Sequence, residues 1–99
     1  LGQLPVMVKS YFYRTYTGAE IDLVLVFGDK PIATFEVKLS DTPKLSKGSW
    51  IAIDDLQTDY NYIVYSGDEA YPVKENLDII PITDIPKIVS NLIKIFSIP

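Results

Sequence analysis

EIDLVLVFGDKPIATFEVKL, Glu20 to Leu39, decides how this chain folds. Glu20–Phe27 reads as one β-strand, and Leu23 to Phe27 is apolar at every position. Such a run predicts a strand covered on both faces, hence a layered α/β sandwich rather than an open sheet. "GDKP", Gly28 to Pro31, is a turn by composition. Ile32–Leu39 is the next strand, β-branched and aromatic, with charges near its end. Acids are poor strand residues and costly to desolvate, yet Glu20 and Asp22 open one strand and Glu36 sits in the other.

Working outward, Tyr11 to Gly18 predicts a strand closed by a turn at Gly18, after an irregular lead-in over residues 1–10. The first three strands then form an antiparallel meander. A helix is expected over Ser46–Gln57, with Trp50, Ile53 and Leu56 as its apolar stripe and Asp54 and Asp55 opposite. Tyr60–Gly67 is a fourth strand, and "EAYPV", Glu69 to Val73, adds a short edge piece in which Pro72 is tolerated. Leu77–Thr83 is a fifth strand, and its Pro81 argues for an edge. Asp84 is placed to cap a last helix through Phe96, whose stripe is Ile85, Ile88, Val89, Leu92 and Phe96. The order is β-β-β-α-β-β-α: an α/β (α+β) fold with a central mixed sheet flanked by helices. One domain over 1–99 is expected, without repeats or linkers.

The 99 residues are 47% hydrophobic, which suits one folded domain with a modest core. There is no Cys and no His. Disulfides, thiolate nucleophiles, His-based triads and ordinary zinc sites are therefore excluded. A metal would have oxygen ligands only, which favours Mg²⁺, Mn²⁺ or Ca²⁺. Net charge is −4 and the sequence pI is about 4.6. Nucleic acid is then not held by bulk electrostatics and needs a local basic patch or a neighbouring domain. No apolar run has membrane-spanning length and no secretory signal is visible, so a cytoplasmic protein is expected. The chain opens on Leu1 rather than Met, as a piece of a longer chain would.

Side chains alternate along a strand, so Glu20 and Asp22 share a face of their strand, and Glu36 and Lys38 share a face of theirs. A three-residue loop that pairs Gly28 with Ile32 sets Asp22 opposite Lys38, with Glu36 one diagonal step away. An odd loop brings all four charges to one face, and an even one puts the two pairs on opposite faces. Together, Asp22 and Glu36 can share a divalent ion, with the Val37 carbonyl as a further ligand. Lys38 can then orient a water or neutralise a phosphoryl transition state. The plainer reading makes Glu36 and Lys38 a solvated strand face and the other two acids a strand-end cluster. Arg14, Lys9, Lys44 and Lys47 can line a nucleic-acid path or be scattered solvated charges. Tyr11, Phe12, Tyr13 and Tyr16 can stack bases, or pack the sheet as strand aromatics more often do.

An acid on the second strand followed by Glu-x-Lys on the third resembles the PD-(D/E)xK nuclease superfamily. Asp22 matches the first acid, and Glu36-Val37-Lys38 the second element. The resemblance implies a restriction-endonuclease-like layered fold and Mg- or Mn-dependent cleavage of phosphodiesters. Asp22, Glu36 and Lys38 would be catalytic and Glu20 and Arg14 auxiliary. The superfamily's first-helix acid is absent, Glu20 being its candidate substitute, and Gln57 and Tyr60 do not keep the spacing of its helical Gln and Tyr. A narrower likeness covers nearly everything from Tyr11 onward. "YFYRTYTGAEIDLVL", "FEVKLSDTPKLSKG" and "YIVYSGDEAYPVKENLDIIPI" resemble a C-terminal domain of unknown function in bacterial and archaeal AAA-type ATPases, carried by Arg14, Thr15, Gly18, Glu20 and Asp22. That implies an upstream ATPase domain as partner. These residues contain no GxxxxGK loop, so no ATP site is expected here. Two functions follow: a metal-dependent nuclease, or a non-catalytic recognition, dimerisation or regulatory module of the ATPase. For the second, "IVSNLIKIFSIP" can serve a homo-oligomer interface or simply the core.

Overall fold

A computed structural model describes residues 8–14, 20–38 and 47–97. Its elements are β1 (Val8–Arg14), β2 (Glu20–Phe27), β3 (Lys30–Val37), α1 (Lys47–Leu56), β4 (Tyr60–Tyr65), β5 (Tyr71–Lys74), β6 (Leu77–Pro81) and α2 (Ile85–Ser97). A 3₁₀ turn, Ile82–Asp84, leads into α2. The fold is mixed α+β. One sheet runs in the order β1-β2-β3-β4-β6-β5. β1, β2 and β3 form the expected antiparallel meander. β3, β4 and β6 are parallel, and β5 closes the far edge antiparallel to β6.

The uninterrupted apolar run of β2 is explained by a helix on each side. Leu25 and Phe27 join Phe35, Val64 and Ile80 in a core that α2 covers with Leu92, Ile88, Val89 and Phe96. Val24 and Val26 face the other way, against Ala52, Ile51 and Leu56 of α1. The stripe foreseen for α2 is the face it buries. α1 departs from expectation. Its buried residues are the small Ser49 and Ala52, while Trp50 stands 39% exposed at the flank. Small side chains let the helix axis approach the sheet, and a Trp at that position would hold it off. The helix ends at Gln57, in the left-handed region (φ 55), whose amide side chain donates to the Asp54 carbonyl at 2.6 Å.

β4 stops at Tyr65 rather than Gly67, and β6 at Pro81 rather than Thr83, where the 3₁₀ turn takes over; three larger features also differ from the sequence reading. Val8 to Ser10, taken as irregular lead-in, are strand, because β2 offers them a ladder from Leu25 to Phe27. The turn foreseen at Gly18 lies outside the described residues. β6, taken as an edge because of Pro81, lies inside the sheet between β4 and β5. Its proline is the last residue of the strand, where a missing N–H costs little.

The hairpin between β2 and β3 is the third difference. Its turn is two residues, Gly28 and Asp29, with Gly28 at φ 72, a conformation glycine adopts without a Cβ clash. Phe27 pairs with Lys30 and Val26 with Pro31, but Leu25 pairs with Ala33. Ile32 is thus an extra residue, a β-bulge, and both it and Ala33 sit in the α2-side core. An even turn alone would put Asp22 and Glu36 on opposite faces; the bulge reverses that.

Where the antiparallel half meets the parallel half, Asn61 knots the sheet together. Its Oδ1 accepts from the hydroxyls of Thr34 and Thr58, each at 2.6 Å. Its Nδ2 donates to the carbonyls of Thr58 and Asn76, each at 2.9 Å. All of this is buried or nearly so, where an unpaired polar group is costly. On the opposite face Phe35 stacks on Tyr62 at 5.0 Å. Burial, then the charge of Asp78 and neighbouring Tyr60, pushes the Tyr62 phenol up to about 12. It holds its proton at neutral pH.

Two stability outcomes follow. Asn61→Ala strips Thr34 and Thr58 of their acceptor, and should cost about 3 kcal/mol, seen as a lower urea midpoint at unchanged slope. Gly67→Ala sets a methyl against the ring of Tyr65, itself buried and held by its hydroxyl donating to the Glu69 carbonyl at 2.7 Å. That overpacking should cost about 2 kcal/mol by the same measurement, and Tyr65→Leu in the Gly67→Ala background should recover part of it.

Candidate functional site

The β2–β3 ladder stops at Leu23 and Phe35, although β2 begins at Glu20 and β3 runs to Val37. Beyond that point β2 pairs with β1, through Ile21 with Tyr13 and Glu20 with Arg14. β3 pairs instead with β4, through Glu36 with Ile63 and Val37 with Val64, and the Lys38 amide donates to the Val64 carbonyl at 2.8 Å. The strands therefore part company at Asp22. Asp22 fills the breach: its Oδ2 accepts the Val37 N–H at 2.7 Å, a backbone donor that has lost its ladder neighbour.

The register continues from Leu23 and Phe35 to set Asp22 across from Glu36. The expectation was Lys38 opposite Asp22 with Glu36 diagonal. The shorter turn and the one-residue bulge together move the pairing by two positions and leave the shared face intact. Asp22, Glu36 and Lys38 all lie on the α1 side of the sheet, the side of Val24 and Thr34. Glu36 is 6% exposed. Its Oε2 meets the Lys38 Nζ at 2.6 Å, and the lysine side chain is one-third exposed. A carboxylate this deep needs a cation or hydrogen bonds to stay charged. Glu36 is therefore no part of a solvated strand face, as the plainer reading had it.

The cluster sits at the carboxyl ends of the parallel strands β3 and β4, the end at which open α/β sheets bind ligands. Two carboxylates on one face suit Mg²⁺ or Mn²⁺, which keep several waters. Among the described residues no three acids gather into a cage, so such an ion would be held by Asp22 and Glu36 with water in its other positions. Glu20 and Arg14 are cross-strand partners at the same end of β2; their side chains lie outside the described residues. So do the side chains of Lys9, Tyr11, Phe12 and Tyr13, and the whole of Tyr16 and Lys44. Lys47, exposed, opens α1. Gln57 caps α1, and Tyr60 packs edge-on against Phe96 at 5.7 Å, so both are structural.

A second feature lies outside the sequence reading. A cavity of about 280 Å³ opens between α1 and the β5–β6 turn, lined by Trp50, Ile53, Lys74, Glu75, Asn76 and Leu77 over a floor of Thr58 and Asn61. The Lys74 ammonium rests 4.6 Å from the centre of the Trp50 ring. Counting Trp50 into the core stripe hid it. The signal was the spacing of Ser49, Ala52 and Leu56, which already made a helix face without the tryptophan.

Among the described residues no helix is long and apolar enough to cross a membrane. No solved structure matches the chain. Two mycobacterial proteins do: the uncharacterised proteins Rv2008c of Mycobacterium tuberculosis and Mb2031c of Mycobacterium bovis, each 33% identical over 75 residues. The alignment covers 76% of this chain and 17% of either relative, so the chain spans about one sixth of their length. A family described as a domain of unknown function, DUF4143, matches residues 3–85, which take in Asp22, Glu36, Lys38 and the Trp50–Lys74 cavity. The chain belongs to the DUF4143 family.

Proposed function

We propose that this chain is a PD-(D/E)xK-type nuclease domain of restriction-endonuclease-like layout, hydrolysing phosphodiesters beside an AAA-type ATPase domain in the bacterial cytoplasm. The observation that carries the reading is the bulge-set face on which Asp22, Glu36 and Lys38 come together where β2 and β3 separate. A bound Mg²⁺ or Mn²⁺ supplies an acidified water and charge neutralisation at phosphorus. Asp22 and Glu36 would hold it, with the Val37 carbonyl or water completing its shell. The Val37 amide fixes the Asp22 carboxylate in place beforehand. Lys38, partly exposed beside Glu36, offers an ammonium to the charge that develops on the phosphate. Its proximity also offsets the cost of a nearly buried carboxylate until a cation arrives.

A second reading has its own support. The net charge of −4 repels phosphate, and the Glu36–Lys38 contact at 2.6 Å is already neutral as it stands. Both suit a non-catalytic module of the ATPase that binds a partner or a second copy of itself.

Cleavage decides between them. The chain with Mg²⁺ or Mn²⁺ should cut at least one of single-stranded, double-stranded or branched DNA or RNA. Asp22→Ala, Glu36→Ala and Lys38→Ala should each lower the rate at least a hundredfold while leaving the circular dichroism unchanged. No cleavage, together with no Mn²⁺ uptake by calorimetry, would leave the non-catalytic module. The ion pair is tested separately by stability. Lys38→Ala should cost about 2 kcal/mol by leaving the buried carboxylate poorly compensated, and Glu36→Gln in the same chain should recover most of it. Additive losses in that double-mutant cycle would show that the two charges do not depend on each other.

A further inference from the structure

The cavity between α1 and the β5–β6 turn is separate from the carboxylate cluster and has a different chemistry. One wall is the indole of Trp50, 39% exposed and the single tryptophan of the chain. Ile53 and Leu77 make it apolar below. The rim is polar and exposed: Lys74, Glu75 and Asn76. The Asn61 amide in the floor is fully used on Thr34, Thr58 and Asn76, so recognition falls mainly to the indole wall and the rim. A ligand must therefore be flat against the indole and polar at its edge. It must also carry an anionic group for Lys74.

We propose that this cavity is a nucleobase-stacking pocket that takes one nucleotide. The base lies on Trp50, as bases do on exposed aromatic side chains. Glu75 and Asn76 meet the base edge, the carboxylate accepting from an exocyclic amine, which selects adenine or cytosine over thymine. Lys74 leaves the indole face and takes the phosphate. Its ammonium now lies 4.6 Å from the ring centre, where it covers the stacking surface. An exposed cation–π contact is weak beside base stacking, so the exchange favours the nucleotide. The volume of about 280 Å³ has room for a base and not for a duplex.

The nucleotide can belong to a single strand or be free. The pocket lies on the face of the sheet that carries the carboxylates: Thr34, bonded to the pocket's Asn61, precedes Glu36 by two positions on one strand, about 7 Å. The proposal goes beyond the cleavage reading and does not need it.

The single tryptophan reports on the pocket directly. In EDTA, where no metal-dependent cleavage can occur, the chain is titrated with oligodeoxyadenylate of six nucleotides, with AMP, and with an abasic oligonucleotide of the same length. Quenching of Trp50 emission by the oligoadenylate and AMP, and not by the abasic strand, is expected. Tighter binding of the oligonucleotide identifies a strand as the source, and equal binding identifies a free nucleotide; either supports the pocket. Lys74→Gln should weaken both ligands about tenfold with the same quench at saturation. Trp50→Leu, at a half-exposed position that should fold, should weaken oligoadenylate binding at least tenfold by calorimetry. Glu36→Gln, outside the cavity lining, should leave the Trp50 quench and the oligoadenylate affinity as they are, so loss of cleavage and loss of stacking remain distinct results. No quenching at millimolar AMP and oligoadenylate, or equal quenching by the abasic strand, overturns the proposal.

Discussion

Asn61 stands at the seam of the sheet. To one side lies an antiparallel meander, to the other a parallel set, and among the described residues the backbone ladder joining them is that between β3 and β4. Parallel pairs are slightly weaker per residue than antiparallel ones. The side chain of Asn61 reinforces this pair by binding Thr34 across the seam, Thr58 in the loop before it and Asn76 in the distant β5–β6 turn. Three segments far apart in sequence are thereby located against one another. The carboxylate cluster and the Trp50 cavity both depend on it. Glu36 lies two positions further along the strand that Asn61 grips, and Asn61 itself floors the Trp50 cavity.

The carboxylate cluster exploits the weakness that the seam creates. β3 follows β4 to the end while β2 follows β1, and the opening between them would leave a backbone amide unmet. Asp22 meets it. The same divergence exposes Lys38 while keeping Glu36 under cover. Charge is thus concentrated where the sheet offers backbone and side-chain groups that ordinary ladder bonding would have consumed.

Much of this architecture was legible in the residues. The run Leu23 to Phe27 foretold two covered faces, and helices occupy both. The α2 stripe was readable because its large side chains keep helical spacing. What stayed hidden has physical reasons. The bulge at Ile32 leaves no trace, since an extra apolar residue in an apolar strand looks like ordinary alternation. Asn61, in "YNYIVY", reads as an outward polar position, and only its partners at Thr34 and Asn76 make burial tolerable. Trp50 misled for the opposite reason. Its size suggested core, but close helix-to-sheet packing favoured Ser49 and Ala52 and displaced the indole to the rim. Pro81 suggested an edge, yet a strand's last residue tolerates it inside a sheet.

The hairpin between β2 and β3 leaves Gly28, Asp29 and Ile32 outside the ladder. Two of them turn the chain and one bulges, and their odd number is what keeps Asp22 and Glu36 on the same side. This constrains how the hairpin can drift across descendants. Gain or loss of a single residue must be absorbed by creating or erasing a bulge, or else the acids separate. Changes by two leave them together. A one-residue change in this hairpin therefore needs a bulge made or lost to keep the acids together, and Gly28, whose φ of 72 favours glycine, is a turn position that resists substitution.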